Sequence, residues 1–153
     1  MILKQGRSVQ CFNVFLTLMK ETLFIALSQT KTKHLLCRAR INGIAAVLLI
    51  DTGASNSCIH SKLQDLYKLK KKGAAFDAAG ASEGKMTAVS THQCELILGR
   101  HQVGKHTFVL LDLSHINETL QSQGAKKIDG IIGADFLIKH KASIDYRTRK
   151  LSL

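Results

Sequence analysis

Leu48-Leu49-Ile50-Asp51-Thr52-Gly53-Ala54-Ser55 is the stretch on which the reading of this chain turns. An apolar run stops in a carboxylate, and Thr and Gly follow at once. A short apolar run bounded by turn residues fits a buried strand. Gly53 permits a tight turn that a side chain would hinder. The pattern therefore puts Asp51 at the end of a rigid element. Just upstream, His34 to Ile41 and Ile44 to Ile50 flank Asn42-Gly43. Asn-Gly between apolar runs predicts a two-residue hairpin, because both residues tolerate positive φ. The second strand of that hairpin delivers the chain into Asp51.

Further out, Pro is wholly absent, so Gly and Asn mark the turns. Thr22 to Ser28 and Ser57 to His60 read as strands. Lys85 to Leu98 and Val103 to Leu111 read as a long hairpin around Gly99-Arg100. Ile116 to Gln123 fits a short helix. Ile128 to Ile132 reads as a buried strand ending at Gly133, and Ala134 to Lys139 as a short helix. Ala142 to Tyr146 and Lys150 to Leu153 close the chain as a hairpin. Residues 10–20 fit either helix or strand. Many short strands with one or two short helices predict a mostly β fold, a small closed β-barrel. Residues 1–20 are expected to be an extension and residues 21–153 the domain.

Composition narrows the function classes. The chain has 153 residues, which argues for one domain. Its formal charge of +11, from 22 basic and 11 acidic residues, invites a nucleic-acid reading. The charges are dispersed, however, and the densest run, Lys68-Leu69-Lys70-Lys71-Lys72, falls in an expected loop. Aromatics make up only 5% and Trp is absent, so a base-stacking platform has little material. No specific nucleic-acid partner is expected. The four cysteines, Cys11, Cys37, Cys58 and Cys94, form no CxxC pair and read as buried reduced thiols. Cys58-x-His60 and His92-x-Cys94 lack the spacing of a structural zinc site, so no metal is expected. The apolar stretch from Cys11 to Leu27 is broken by Lys20 and Glu21 and is too short to span a bilayer. A cytoplasmic protein without membrane contact or cofactor is the expectation. Ser55 and Ser57 have no identifiable His/Asp partners, which argues against a serine hydrolase. Asp129 reads as a turn residue, and neither Asp112, Asp145 nor the seven histidines form an evident constellation.

Three features stand in order along the chain. The first is the Asp51 turn. The second is a flexible Gly/Ala hairpin candidate, Ala78-Ala79-Gly80-Ala81-Ser82-Glu83-Gly84. The third is the Gly-ended apolar strand, Ile128-Asp129-Gly130-Ile131-Ile132-Gly133, which runs into a helix. Asp51-Thr52-Gly53-Ala54 resembles the active-site turn of retropepsins, the group that contains the retroviral proteases and is related to each half of pepsin. Ile131-Ile132-Gly133-Ala134-Asp135-Phe136-Leu137 resembles the apolar-apolar-Gly segment before their helix. The Gly/Ala stretch falls where their substrate-covering flap belongs. The resemblance spans about residues 22–153 and is greatest to the small single-domain retropepsin-like proteins of bacteria.

The resemblance implies an aspartic endopeptidase acting on peptide or protein. The chemistry needs two facing carboxylates and the chain has a single Asp-Thr-Gly, so the implied enzyme is a twofold homodimer. The two Asp51 side chains would share one proton. Thr52 would lock the two turns together, Gly53 would lie near the substrate backbone, and Ser55 would complete the loop. Ala78, Ala79, Gly80 and Ala81 would form the flap over substrate, while Ile131, Ile132 and Gly133 would support the site. Ser55-Asn56 departs from the Asp that retroviral enzymes carry there. Asp135 also suits the positive end of a helix dipole. The alternative is a non-catalytic dimeric β-barrel that binds extended peptides in the same groove by strand addition. Ala54 stands where pepsin halves carry Ser or Thr, so one hydrogen bond to the ionised dyad is missing. Such bonds favour the charged form. Activity is therefore expected nearer mild pH than in a pepsin, and Ala54→Ser should move the acidic limb of the pH–rate profile to lower pH. An unshifted or alkaline-shifted limb would refute this.

Overall fold

The computed structural model describes residues 22–78 and 86–153. The expectations for residues 10–20, for Cys11 and for Ala79, Gly80 and Ala81 lie outside them. Among the described residues the chain forms twelve strands and two α-helices. The strands are β1 (Phe24–Gln29), β2 (Leu35–Ile41), β3 (Ile44–Ile50), β4 (Cys58–His60), β5 (Lys71–Ala78) and β6 (Met86–Thr91), then β7 (Cys94–Leu98), β8 (His101–His106), β9 (Val109–Leu111), β10 (Gly130–Ile132), β11 (Ser143–Asp145) and β12 (Lys150–Ser152). The helices are α1 (Ser114–Ser122) and α2 (Ala134–Lys139).

The Asn-Gly hairpin forms as the sequence indicates. Asn42 and Gly43 have φ of 48° and 82°, and β2 pairs with β3 from Ile41↔Ile44 to Leu35↔Ile50. Asn42 does more than turn the chain. Its Nδ2 donates to the Tyr67 carbonyl at 2.8 Å and its Oδ1 accepts from Glu95 N at 3.0 Å. The long hairpin around Gly99-Arg100 also forms, but in two pieces. β7 pairs with β8 near the tip, and β6 pairs with β9 at the base. Between them Thr91 keeps the ladder bonded: its N donates to Phe108 O and its Oγ1 accepts from Phe108 N.

The sheet order is β11-β12-β1-β2-β3-β10-β4-β9-β6-β5, with β7 on β2 and β8 on β7. The expected closure of the barrel is not found. The path is open, with β11 and β5 at its ends. The reason lies in β2, which divides its outer edge between two neighbours. Leu35 to Cys37 pair with β1, whereas Ala39 to Ile41 pair with β7. The sheet branches there instead of returning to its start.

At the centre, β10 and the stretches of β2 and β3 beside it, residues 35–37 and 48–50, are buried on both faces. Leu35, Cys37, Leu48, Ile50 and Ile132 join the larger core, while Leu36, Leu49 and Ile131 join a second core with Leu113 and Leu120. Parallel pairing of β10 with β3 is the usual setting for such unbroken apolar runs. Each fully buried Leu or Ile there contributes about 1.5–3 kcal/mol. β10 is inserted between β3 and β4, the strands on either side of the Asp51 turn. Several polar groups fix that insertion. Asp129 Oδ2 accepts from Val47 N at 2.7 Å, and Asp129 N donates to Val47 O at 2.8 Å. Buried Asn117 on α1 brackets Ile128, accepting from its N at 2.8 Å and donating to its O at 3.0 Å. Asp129 is thus the structural residue its sequence context suggests. Gly130 is there for space: a Cβ would lie 2.3 Å from Cys58 O and 3.1 Å from Leu48 Cδ2. Backbone on one side and core on the other leave no room to yield. Gly130→Ala should therefore cost about 3 kcal/mol, read as a lower urea midpoint with unchanged m; wild-type stability in that variant would show the inserted strand to be looser than described.

Candidate active site

Asp51 is the first residue after β3, and its position follows from β10 below it. Parallel register sets Ile132 beside Ile50, and Asp51 N donates to Ile132 O at 3.0 Å. The carboxylate then sits over its own turn, with Oδ1 accepting from Gly53 N at 2.8 Å. Ala54 N donates back to Asp51 O at 3.3 Å. Asp51 is half-buried, Thr52 and Gly53 are exposed, and Ala54 packs its methyl against the second core. At Gly53 a Cβ would stand 3.2 Å from Asp51 Oδ1, so glycine keeps the carboxylate uncrowded.

The far side of the turn rests on the end of β10. Gly133 passes so close that a Cβ would lie 2.7 Å from Ala54 O and 2.7 Å from Asn56 C. Its φ is an ordinary −101°, so the requirement is for close approach rather than for special backbone freedom. Beyond it, Ala134 N donates to Ala54 O at 2.7 Å and Asp135 N to Ser55 O at 3.2 Å. The first amides of α2 are thus satisfied by the Asp51 turn.

Two residues that the sequence reading gave other meanings complete the seat. Ser57 is fully buried. Its Oγ donates to Asp135 Oδ1 at 2.7 Å and accepts from Gly133 N at 3.0 Å. Asp135 Oδ1 also takes Ser57 N and Phe136 N, each at 2.8 Å. Asp135 does stand in the first turn of a helix, but its main work is to bind Ser57. His106 Nε2 lies 3.5 Å from the other oxygen of that carboxylate. The only local signal was a Ser and an Asp flanking the two expected loop segments.

Of the flap residues, Ala78 ends β5, half-buried. Asp112 and Asp145 are local caps: Asp112 Oδ1 accepts from Ser114 N, and Asp145 Oδ1 accepts from Arg147 N and Thr148 N. Their carboxyls are held below the ordinary range by the bonds to Ser114 and Thr148. Cys37, Cys58 and Cys94 are buried and free. Burial pushes their thiols up to about 12, 12 and 11. At Cys58 the charges of Asp135 and Asp51 also push the thiol up. Among the described residues no cluster of three or more His, Cys, Asp or Glu side chains could hold a metal ion.

The fold is retropepsin-like. The retroviral protease-like domain of Ddi1 from Leishmania major superposes with a TM-score of 0.55 at 18% identity, over 77% of this chain and 86% of that one. A retropepsin-like aspartic protease from Rickettsia conorii gives 0.50 at 17% identity, over 87% and 89%. EIAV protease, complexed with the inhibitor HBY-793, gives 0.51 at 18%, over 77% and 98%. A model of the aspartyl protease family matches residues 37–136, from the middle of β2 through Phe136 on α2. The chain belongs to the aspartyl protease family. No curated protein matches it.

Removing the Ser57 hydroxyl would leave Gly133 N buried without an acceptor. Ser57→Ala should cost about 1–3 kcal/mol, measured by urea denaturation; an undiminished midpoint would mean that the seat does not depend on this bond.

Proposed function

We propose that this chain is an aspartic endopeptidase active as a homodimer, with one Asp51 from each subunit forming the dyad. The observation that carries the reading is Asp51 itself: a half-exposed carboxylate on the turn after a buried strand, held from below by β10 in a chain of the aspartyl protease family. Asp135, the other acid at the site, is committed to Ser57 and Phe136. The second reacting carboxylate therefore comes from another copy. Exposed Thr52 and Gly53 suit that arrangement, since a twofold partner would cover them.

In the dimer the ionised Asp51 takes a proton from a water held between the two carboxylates. The water oxygen attacks the scissile carbonyl carbon, and the neutral Asp51 donates its proton to the carbonyl oxygen. Thr52 braces one turn against the other, and Gly53 leaves room for substrate backbone. Ala54 and Ser55 tie the turn to α2. Ala78, Ala79, Gly80 and Ala81 form the flap, and Ile131, Ile132 and Gly133 form the support. Residues 21–153 make up the protease domain, with residues 1–20 an extension to it. The partners are a second copy and a peptide or protein substrate, with no cofactor or metal. No helix among the described residues is long and apolar enough to cross a membrane. We place the enzyme in the cytoplasm, in keeping with its free thiols.

The test is digestion of an unfolded protein mixture by wild type and by Asp51→Asn from pH 4 to pH 8, read by mass spectrometry at two enzyme concentrations. Wild type should cleave, at a rate rising more than linearly with concentration in the dilute range. Asp51→Asn should lose on the order of 10²–10⁴-fold in rate at unchanged stability. A well-folded dimer that cleaves nothing at any pH would favour the peptide-binding alternative.

A further inference from the structure

His106 is the buried titratable group that the proposed hydrolysis does not use. It closes β8 with a side chain only 8% exposed. The imidazole meets Phe108 and Phe136 edge-on, at centroid distances of 4.9 and 5.3 Å. Among the described residues its Nε2 is the one buried side-chain nitrogen or oxygen without a hydrogen-bond partner. Such orphans are rare in folded proteins and call for a reason. The nitrogen is not far from one: Asp135 Oδ2 stands 3.5 Å away, at the outer edge of bonding range.

That carboxylate is the hub of the seat beneath Asp51. Its Oδ1 holds Ser57 N and Ser57 Oγ, and Ser57 Oγ holds Gly133 N. Its Oδ2 faces His106. A neutral imidazole facing a carboxylate keeps its proton on Nε2 and makes at this distance only a long, uncharged contact, whereas the protonated ring brings a full positive charge to it. Adding a proton thus converts a long neutral contact into a charge-assisted bond, and the carboxylate is then anchored through both oxygens.

We propose that His106 is a positioning residue for the reaction: acting through Asp135 and Ser57, it sets how firmly the Asp51 turn is seated, and it does so more firmly when the imidazole is protonated. The catalytic half of this rests on the reading of Asp51 given above. The charged neighbours set where the switch falls. Burial pushes the imidazole below its ordinary value, Asp135 pulls it back up, and Lys139, the last residue of α2, and His140 just after it push it further down. Cys58, which feels Asp135, and Cys94, whose thiol donates to the His106 carbonyl, are neutral at these pH values, with thiols pushed up to about 12 and about 11. The unfolded chain therefore binds the proton more readily than the folded one below the ordinary histidine range. Global stability from His106 is present above that range and is lost as pH falls toward the folded midpoint. Seating of the turn and global stability move in opposite directions over this window, which a merely structural histidine would not produce.

The experiment is an NMR titration of the isotopically labelled full chain from pH 4.5 to 8, following the His106 imidazole together with the Ser57 and Gly133 amides. Both amides should shift with the midpoint of the imidazole. In Asp135→Asn that midpoint should fall by about one pH unit, and the amides should no longer follow it. In His106→Gln, whose amide donates at every pH, the step should vanish from Ser57 and Gly133. On a cleaved peptide the same variant should lose the matching step from kcat with KM unchanged. Ser57 and Gly133 amides that ignore the imidazole, or that keep their step in His106→Gln, would overturn the coupling. A kcat profile identical in wild type and His106→Gln would overturn the positioning role. If Asp135→Asn does not fold, the wild-type titration and His106→Gln still decide. Because the amides are read without substrate, failure to cleave any peptide would count against the protease reading and leave the coupling judged on its own measurement.

Discussion

The close approach of β10 to the Asp51 turn is the constraint on which the rest of this structure depends. One short strand lies between the two strands that flank the turn, parallel to one and antiparallel to the other. Everything around it serves that insertion. Gly130 removes the side chain that would strike the Cys58 carbonyl, and Gly133 removes the one that would strike Ala54 and Asn56. Asp129 and Asn117 fix where the strand begins. Apolar side chains fill both faces, so the strand cannot slide by one residue without exchanging its two cores. The carboxylate then inherits the rigidity of what lies beneath it.

The polar seat under the turn is economical in groups. A single carboxylate oxygen on Asp135 takes three donors from two segments, and the Ser57 hydroxyl both gives and takes a hydrogen bond. Buried polar networks of this kind hold a unique geometry only when each member is satisfied. Here all are satisfied save the imidazole at its margin. The seat and the helix dipole call for the same residue, because Asp135 lies in the first turn of α2, where an anion is favoured.

Much of the fold was legible in the sequence wherever the signal was local. Asn42-Gly43 gave the hairpin because its two residues accept the positive φ a two-residue turn demands. Ala134–Lys139 gave its helix between a Gly and a positively charged end. The apolar runs before Asp51 and Gly133 could be read as doubly buried strands because they do not alternate. What was not legible arises between distant segments. The branching of β2 between β1 and β7 leaves no periodicity to see, and it is what keeps the barrel open. The flanks of the Gly99-Arg100 hairpin looked continuous, because Thr91 substitutes a side-chain bond where the ladder changes partners. Ser57 looked like an unsupported hydroxyl and Asp135 like a helix acid. Their meeting, across 78 residues, is invisible to any local pattern.

The inserted strand also fixes the order in which the molecule can be made. Bonds that seat the Asp51 turn join residues 76 to 82 apart. During synthesis β3 and its hairpin partner leave the ribosome long before β10 exists. Until then the turn has no floor, the gap between β3 and β4 stands open, and their unpaired edges are exposed to other chains. Long-range pairing of this kind is slow to form, and nascent strands with open edges are prone to misassociate. A carboxylate that is unseated until β10 is in place is also one that cannot take up its final position on a half-made chain.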